Sequence, residues 1–205
     1  MSPSEDSALS GTLTDSELMQ GLPTSSVAEP TGLLVDRCVT GDEAAWRWLH
    51  RRYHKTAVNV LRRLGVKPHQ LEDACQDVFL DVFRALPKFR QEADFKTWLY
   101  RLCIGHARIA RRRAKVNSML FSWLSDGSEQ DHSHSLDETA AYRKIGRALE
   151  SLSEPERVVF VLFELEGISG KEIARIVGSP EATIFRRLHD ARKRFIDAIE
   201  TGKLS

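Results

Sequence analysis

An all-α fold of two small helical modules joined by a flexible linker is predicted by three features of this 205-residue sequence. Apolar residues recur at i, i+3, i+4, i+7 through most of the chain, the period of a one-sided helix. Gly and Pro fall mostly at the ends of those runs, and Ser or Asp precedes several of them as a cap. Charge, finally, is segregated. The formal net charge is only +1, yet residues 1–32 hold 5 acids and no base, 33–115 hold 18 bases against 9 acids, 116–140 hold 5 acids and no base, and 141–205 hold 12 bases against 10 acids. A strongly basic module between acidic segments points to a polyanionic partner and to tethers able to compete with it.

Residues 1–32 are rich in Ser, Thr, Pro, Gly and acid, a composition that predicts disorder. No basic residue precedes their apolar positions, so the segment does not read as a secretory signal. No apolar run approaches the roughly 20 residues that span a bilayer. Cys38, Cys75 and Cys103 form no C-x-x-C pair and match no zinc spacing, which points to a reducing cytoplasm.

In the first module, 33–115, Asp42 reads as the N-cap of a helix that carries Trp46, Leu49, Tyr53, Val60, Leu61 and Leu64 on one face and ends at Gly65 and Pro68. The next helix has Leu71, Ala74, Cys75, Val78, Phe79, Val82, Phe83 and Leu86 at unbroken helical spacing and stops at Pro87. Its other face carries Asp73, Asp77 and Asp81 in one stripe. Like charges at that spacing weaken a helix by a few tenths of a kcal/mol per pair, so the stripe suggests a docking surface for a basic partner. From Phe95 to Ser125 there is no acidic residue. This stretch opens Phe95-Lys-Thr-Trp98-Leu-Tyr100-Arg101 and adds Arg108, Arg111, Arg112, Arg113 and Lys115. Rings on which bases stack, followed by cations that neutralise phosphates, suit a nucleic acid with exposed bases. Leu99, Leu102, Cys103, His106 and Ala110 form its apolar face, with His106 as a satisfied core histidine. Arg101, Ile104, Arg108, Arg111, Arg112 and Lys115 form the other.

Residues 116–140 read as an acidic linker. Within it Met119, Leu120, Phe121, Trp123 and Leu124 are apolar enough to dock elsewhere, and His132 and His134 lack further metal ligands nearby. In the second module, 141–205, Ser153-Glu-Pro-Glu156 is a capping box with Pro in the first turn, followed by Val158, Val159, Leu162, Phe163 and Leu165 and ended by Gly167. Ser169-Gly-Lys-Glu172 opens a short helix closed by Gly178, and Ser179-Pro180 opens a longer one running past Arg194. A short helix, a tight turn and a longer basic helix make a helix-turn-helix, whose second helix places its first residues in the major groove. Thr183, Arg186 and Arg187 are the candidate base readers, and Arg192 and Lys193 phosphate contacts.

Asp73-Ala-Cys-Gln-Asp77-Val-Phe79-Leu80, Phe95-Lys-Thr-Trp98-Leu-Tyr100-Arg101, Leu152-Ser-Glu-Pro-Glu-Arg157 and Glu172-Ile-Ala174 together resemble bacterial sigma factors of the sigma-70 family, and the size matches the extracytoplasmic-function (ECF) group. The resemblance implies region 2 at 33–115 and region 4 at 141–205. Asp73, Gln76, Asp77, Leu80 and Asp81 would bind the β′ clamp helices of core RNA polymerase. Phe89, Arg90, Phe95, Lys96, Trp98, Tyr100, Arg101, Arg108, Arg111 and Arg112 would open the −10 element and hold a flipped base. Lys171, Glu181, Thr183, Arg186, Arg187 and Arg192 would meet the −35 element. It further implies the β subunit and promoter DNA as partners, an anti-sigma factor as regulator, no catalysis and no cofactor. Gly105 and Ile109 depart from the polar residues many members carry there, and Ala182 replaces a Gly common at the start of the reading helix. The alternative reading is a helix-turn-helix regulator that does not replace the sigma subunit. An enzyme using Cys103 and His106 is disfavoured, because no third group orients them.

Overall fold

The computed structural model describes residues 30–89, 94–124 and 140–201, with backbone alone over 117–124 and 140–142. The expectations placed on 1–29, Arg90, His132 and His134 lie outside the described residues. Those residues form eight α-helices: α1 Thr31–Val39, α2 Glu43–Arg63, α3 Leu71–Ala85, α4 Phe95–Leu124, α5 Ala140–Glu150, α6 Glu154–Phe160, α7 Gly170–Val177 and α8 Glu181–Thr201. Short 3-10 turns at Pro68–Gln70 and Leu86–Lys88 carry the chain into and out of α3.

The cap of α2 acts as the sequence predicts. The Asp42 carboxylate accepts from the Ala44 and Ala45 amides at 2.8 and 3.1 Å and is also held by Arg37. Arg37 first, then the amides, keeps its pKa below the usual carboxylate range. Helix α1, which the sequence reading omits, exists because Leu34, Val35 and Cys38 bury one face on α2. In the first module α2, α3 and α4 pack on one another around Leu49, Ala57, Val60, Val78, Val82, Leu99 and Cys103, all essentially inaccessible. Each Leu or Val among them contributes about 1.5–3 kcal/mol on burial. All three cysteines are free and buried, and burial pushes the Cys75 thiol up to about 11.

Helix α4 runs to Leu124, beyond the Lys115 boundary expected from composition, so the linker's first residues are helical. The second module packs α6 and α5 against α8, and α7 against α8. After Phe160 the α6 helix widens into a π turn, Val161–Leu165, before Gly167 (φ +70) ends it. From Thr31 onward the chain clusters as one compact unit, and α4 touches α7 directly.

Candidate nucleic-acid and polymerase interfaces

The helix-turn-helix is built by its small residues. Gly178 takes the left-handed conformation (φ +66) that closes α7. Gly170 sits under the Phe185 ring, where an added Cβ would come within 2.7 Å and push the ring aside. Ile173, Ile184 and Leu188 are buried between α7 and α8. Helix α8 begins at Glu181, one residue later than predicted. The Pro180 carbonyl accepts from the Ile184 amide at 3.2 Å, which makes Pro180 the cap position. On the outer side of α8, Glu181 and Arg186 are exposed and Thr183 and Arg187 half-buried; Lys171 is exposed on α7. Arg192, a phosphate-contact candidate, is exposed but already has a partner within the chain. Its guanidinium pairs with Glu164 at 2.6 Å and lies over the Phe163 ring, tying α8 to the π turn.

On α3, Asp73, Gln76, Asp77 and Leu80 are exposed. Asp81 departs from the stripe: it is half-buried and lies 2.8 Å from His106 Nε2. His106 is thus a satisfied histidine, as expected, but its partner comes from the carboxylate row. Beside the stripe runs an open groove lined by Trp46, His50, His54, Phe79, Leu80 and Phe83. Phe83, read as core, is 59% exposed because it lies over the groove against Trp46. Burial, then the charge of His54, holds the His50 pKa below its ordinary value.

The start of α4 corrects the stacking expectation. Phe95 is buried against Tyr53, with ring centroids 4.7 Å apart, and Tyr100 is fully buried. Only Trp98 and Phe89, 4.9 Å apart, remain half-exposed as rings at this end. Arg101, Arg108 and Arg112 are exposed, and Lys96 and Arg111 half-buried. Ile104, placed on the solvent side by its basic neighbours, is 5% exposed. The reason is common to Tyr100 and Ile104. Both share a helical stripe with Lys96, Arg108 and Arg111, and that stripe faces the second module.

The contacts across this junction pair α4 residues assigned to the −10 element with residues the sequence left without a role, Glu166 among them. Glu166, at the end of the π turn, receives Arg63 Nη1 and the Tyr100 hydroxyl, each at 2.5 Å, with Lys96 Nζ 3.9 Å away. Burial, then the Glu166 carboxylate, pushes the Tyr100 pKa up. Glu154 receives Arg108 at 2.6 Å and lies 3.9 Å from Arg111. Arg157 is 4% exposed and donates to the Glu150 and Leu152 carbonyls at 3.0 and 3.1 Å. It also reaches the Leu64 carbonyl at the end of α2. Gly65 (φ +89) leaves room for that guanidinium, which any Cβ would strike. Burial, then Arg111, lowers the Arg157 pKa to about 10.

Among the described residues no group of three His, Cys, Asp or Glu is gathered to hold a metal ion, and no helix is long and apolar enough to cross a membrane. The family description "Sigma-70 region 2" matches residues 49–116, and "Sigma-70, region 4" matches 142–195. The RNA polymerase sigma-H factor of Pseudomonas aeruginosa is 29% identical over 82% of this chain and 92% of its own length. The ECF RNA polymerase sigma-E factor of Escherichia coli K12 is 30% identical over 82% of this chain and 93% of its own. Two solved structures share the fold. CnrH in complex with the cytosolic domain of CnrY has TM-score 0.63 and 21% identity, over 82% of this chain and 96% of that one. Bartonella quintana RpoE in complex with the anti-sigma factor NepR has TM-score 0.62 and 19% identity, over 76% and 96%. With both regions matched in order on an all-helical fold, the chain belongs to the ECF group of the sigma-70 family of RNA polymerase sigma factors.

Proposed function

We propose that this chain is an alternative sigma factor that binds core RNA polymerase through α3 and directs it to promoters through α4 and α8. The observation that carries the reading is the pairing of two outward surfaces of opposite chemistry. One is the exposed Asp73, Gln76, Asp77 and Leu80 beside the aromatic groove; the other is the outer side of α8, with exposed Arg186 and half-buried Thr183 and Arg187. The first suits the clamp helices of polymerase. The second suits the major groove of the −35 element, where an Arg can hold guanine O6 and N7 together. Along α4, Trp98 and Phe89 are the rings left to receive an unstacked base of the −10 element, and Lys96, Arg101, Arg108, Arg111 and Arg112 the cations for its backbone. The protein catalyses nothing and acts in the cytoplasm. Its expected regulator is an anti-sigma factor, the class of protein that NepR represents in its complex with the Bartonella quintana relative.

Reconstitution tests this. The purified chain is mixed with core polymerase free of any sigma subunit, and run-off transcription is measured from the DNA upstream of its own gene. A defined transcript that depends on the chain is expected. Duplex binding by the chain alone, with no polymerase complex and no transcript, would mean a helix-turn-helix regulator.

A further inference from the structure

The charged contacts between the two modules pair in one sense: carboxylates of the second sit on cations of the first. Glu154 takes Arg108 and Arg111, and Glu166 takes Arg63, Lys96 and the Tyr100 hydroxyl. Three of those cations belong to the α4 stripe. A carboxylate and a phosphate oxygen compete for the same guanidinium and ammonium donors in the same charge-assisted geometry. The Glu166 side chain is only 9% exposed, so its pairs are little screened by salt. The Arg108–Glu154 pair is more exposed and weaker.

We propose that Glu154 and Glu166 act as an internal phosphate mimic, occupying the cations of α4 that the −10 backbone would take, so that the free chain masks its own −10 surface. The mask lifts when the second module moves off α4. This rests on the −10 reading of Lys96, Arg108 and Arg111. It also accounts for the otherwise idle burial of Tyr100 and Ile104, which face the second module and take the Tyr100 ring out of a base's reach. Arg157 in the niche above Gly65 is the mechanical part of the clasp, because its guanidinium ends on a carbonyl of the other module.

The test uses the full chain with spin labels at Arg51→Cys and Glu200→Cys, one exposed site per module; the three native cysteines are buried. Inter-label distances are measured by pulsed electron resonance, and binding of a fluorescent oligothymidylate by anisotropy. Wild type is compared with Glu154→Gln/Glu166→Gln and with Gly65→Asn. Asn tolerates the left-handed backbone but puts a Cβ against Arg157. Circular dichroism establishes that each variant is helical. The double variant is expected to lengthen and broaden the distances and to tighten oligothymidylate binding at least tenfold, and Gly65→Asn to shift the distances the same way. Unchanged distances in both variants would overturn the clasp. Distances that open with no gain in binding would overturn the mask, with the failure traced to the −10 reading of the α4 cations.

Discussion

Gly105 shows how a single residue can be read from its surroundings. It is exposed in the middle of α4, and a Cβ placed on it meets nothing within 4 Å. No close approach or left-handed angle requires glycine there, so Gly105→Ala is expected to stabilise the chain by about 0.5–1 kcal/mol through reduced freedom of the unfolded state. Urea unfolding measures it, and a loss of stability would mean that the added Cβ meets a neighbour in the folded chain. The carboxylates of α3 divide in the same way. Asp77 is exposed and has a surface to offer, whereas Asp81 is engaged by His106. Asp77→Arg is expected to weaken binding to core polymerase about tenfold or more, equivalent to about 1.4 kcal/mol, with an unchanged unfolding midpoint. Equal polymerase affinity for wild type and variant, by titration, would make the stripe a merely solvated face.

At the scale of elements, the ends of the helices carry more than local stability. In the capping box of α6, Glu156 accepts from the Ser153 amide at 3.0 Å and its hydroxyl at 2.6 Å, and also pairs with Arg194 of α8 at 3.0 Å. Burial opposes ionisation of Glu156, but the Ser153 hydrogen bonds and Arg194 outweigh it and hold the pKa below 4.5. A carboxylate with a depressed folded pKa contributes stability above its unfolded pKa and loses it as pH falls through the folded value. Stability should therefore decline as pH drops below about 4.5, and Glu156→Gln should flatten part of that decline. Denaturant midpoints of the two proteins from pH 7 to pH 3 give the comparison. The π turn after α6 has a similar reach, because it brings Glu164 to Arg192 on one side and Glu166 to Arg63 on the other.

For the whole molecule, the junction between modules is the deciding feature. Tyr100 is fully buried there, and its hydroxyl donates to a carboxylate that also holds Arg63. Tyr100→Phe removes one of the few donors to a nearly enclosed charge and is expected to cost about 1–3 kcal/mol. Urea unfolding of the full chain should register the loss as a lower midpoint. A loss of only a few tenths would mean that water replaces the hydroxyl, and so that the junction opens readily on its own.

The all-helical class, the helices α2, α3, α7 and α8, the Asp42 and Ser169 caps and the helix-turn-helix are legible in the sequence because each depends on neighbours a few residues apart. Asp42, Pro87 and Gly178 act within one turn of their own position, and helical period alone sets which side of α3 is apolar. Helix α1 escapes notice because nine residues with a weak pattern become helical only by burying Leu34, Val35 and Cys38 on α2. The junction is subtler. Glu166 is an acid at the C-terminal end of a helical run and Arg157 a cation near the start of one, both opposed to the helix dipole; Tyr100 and Ile104 are apolar at i, i+4 within a basic stripe. Those signals are present in the sequence, but they say only that such residues serve something beyond their own helix. What they serve depends on residues 66 and 103 positions away. No local spacing encodes a contact of that range, so only the packing of one module on the other decides which cations of α4 are free and which are already paired.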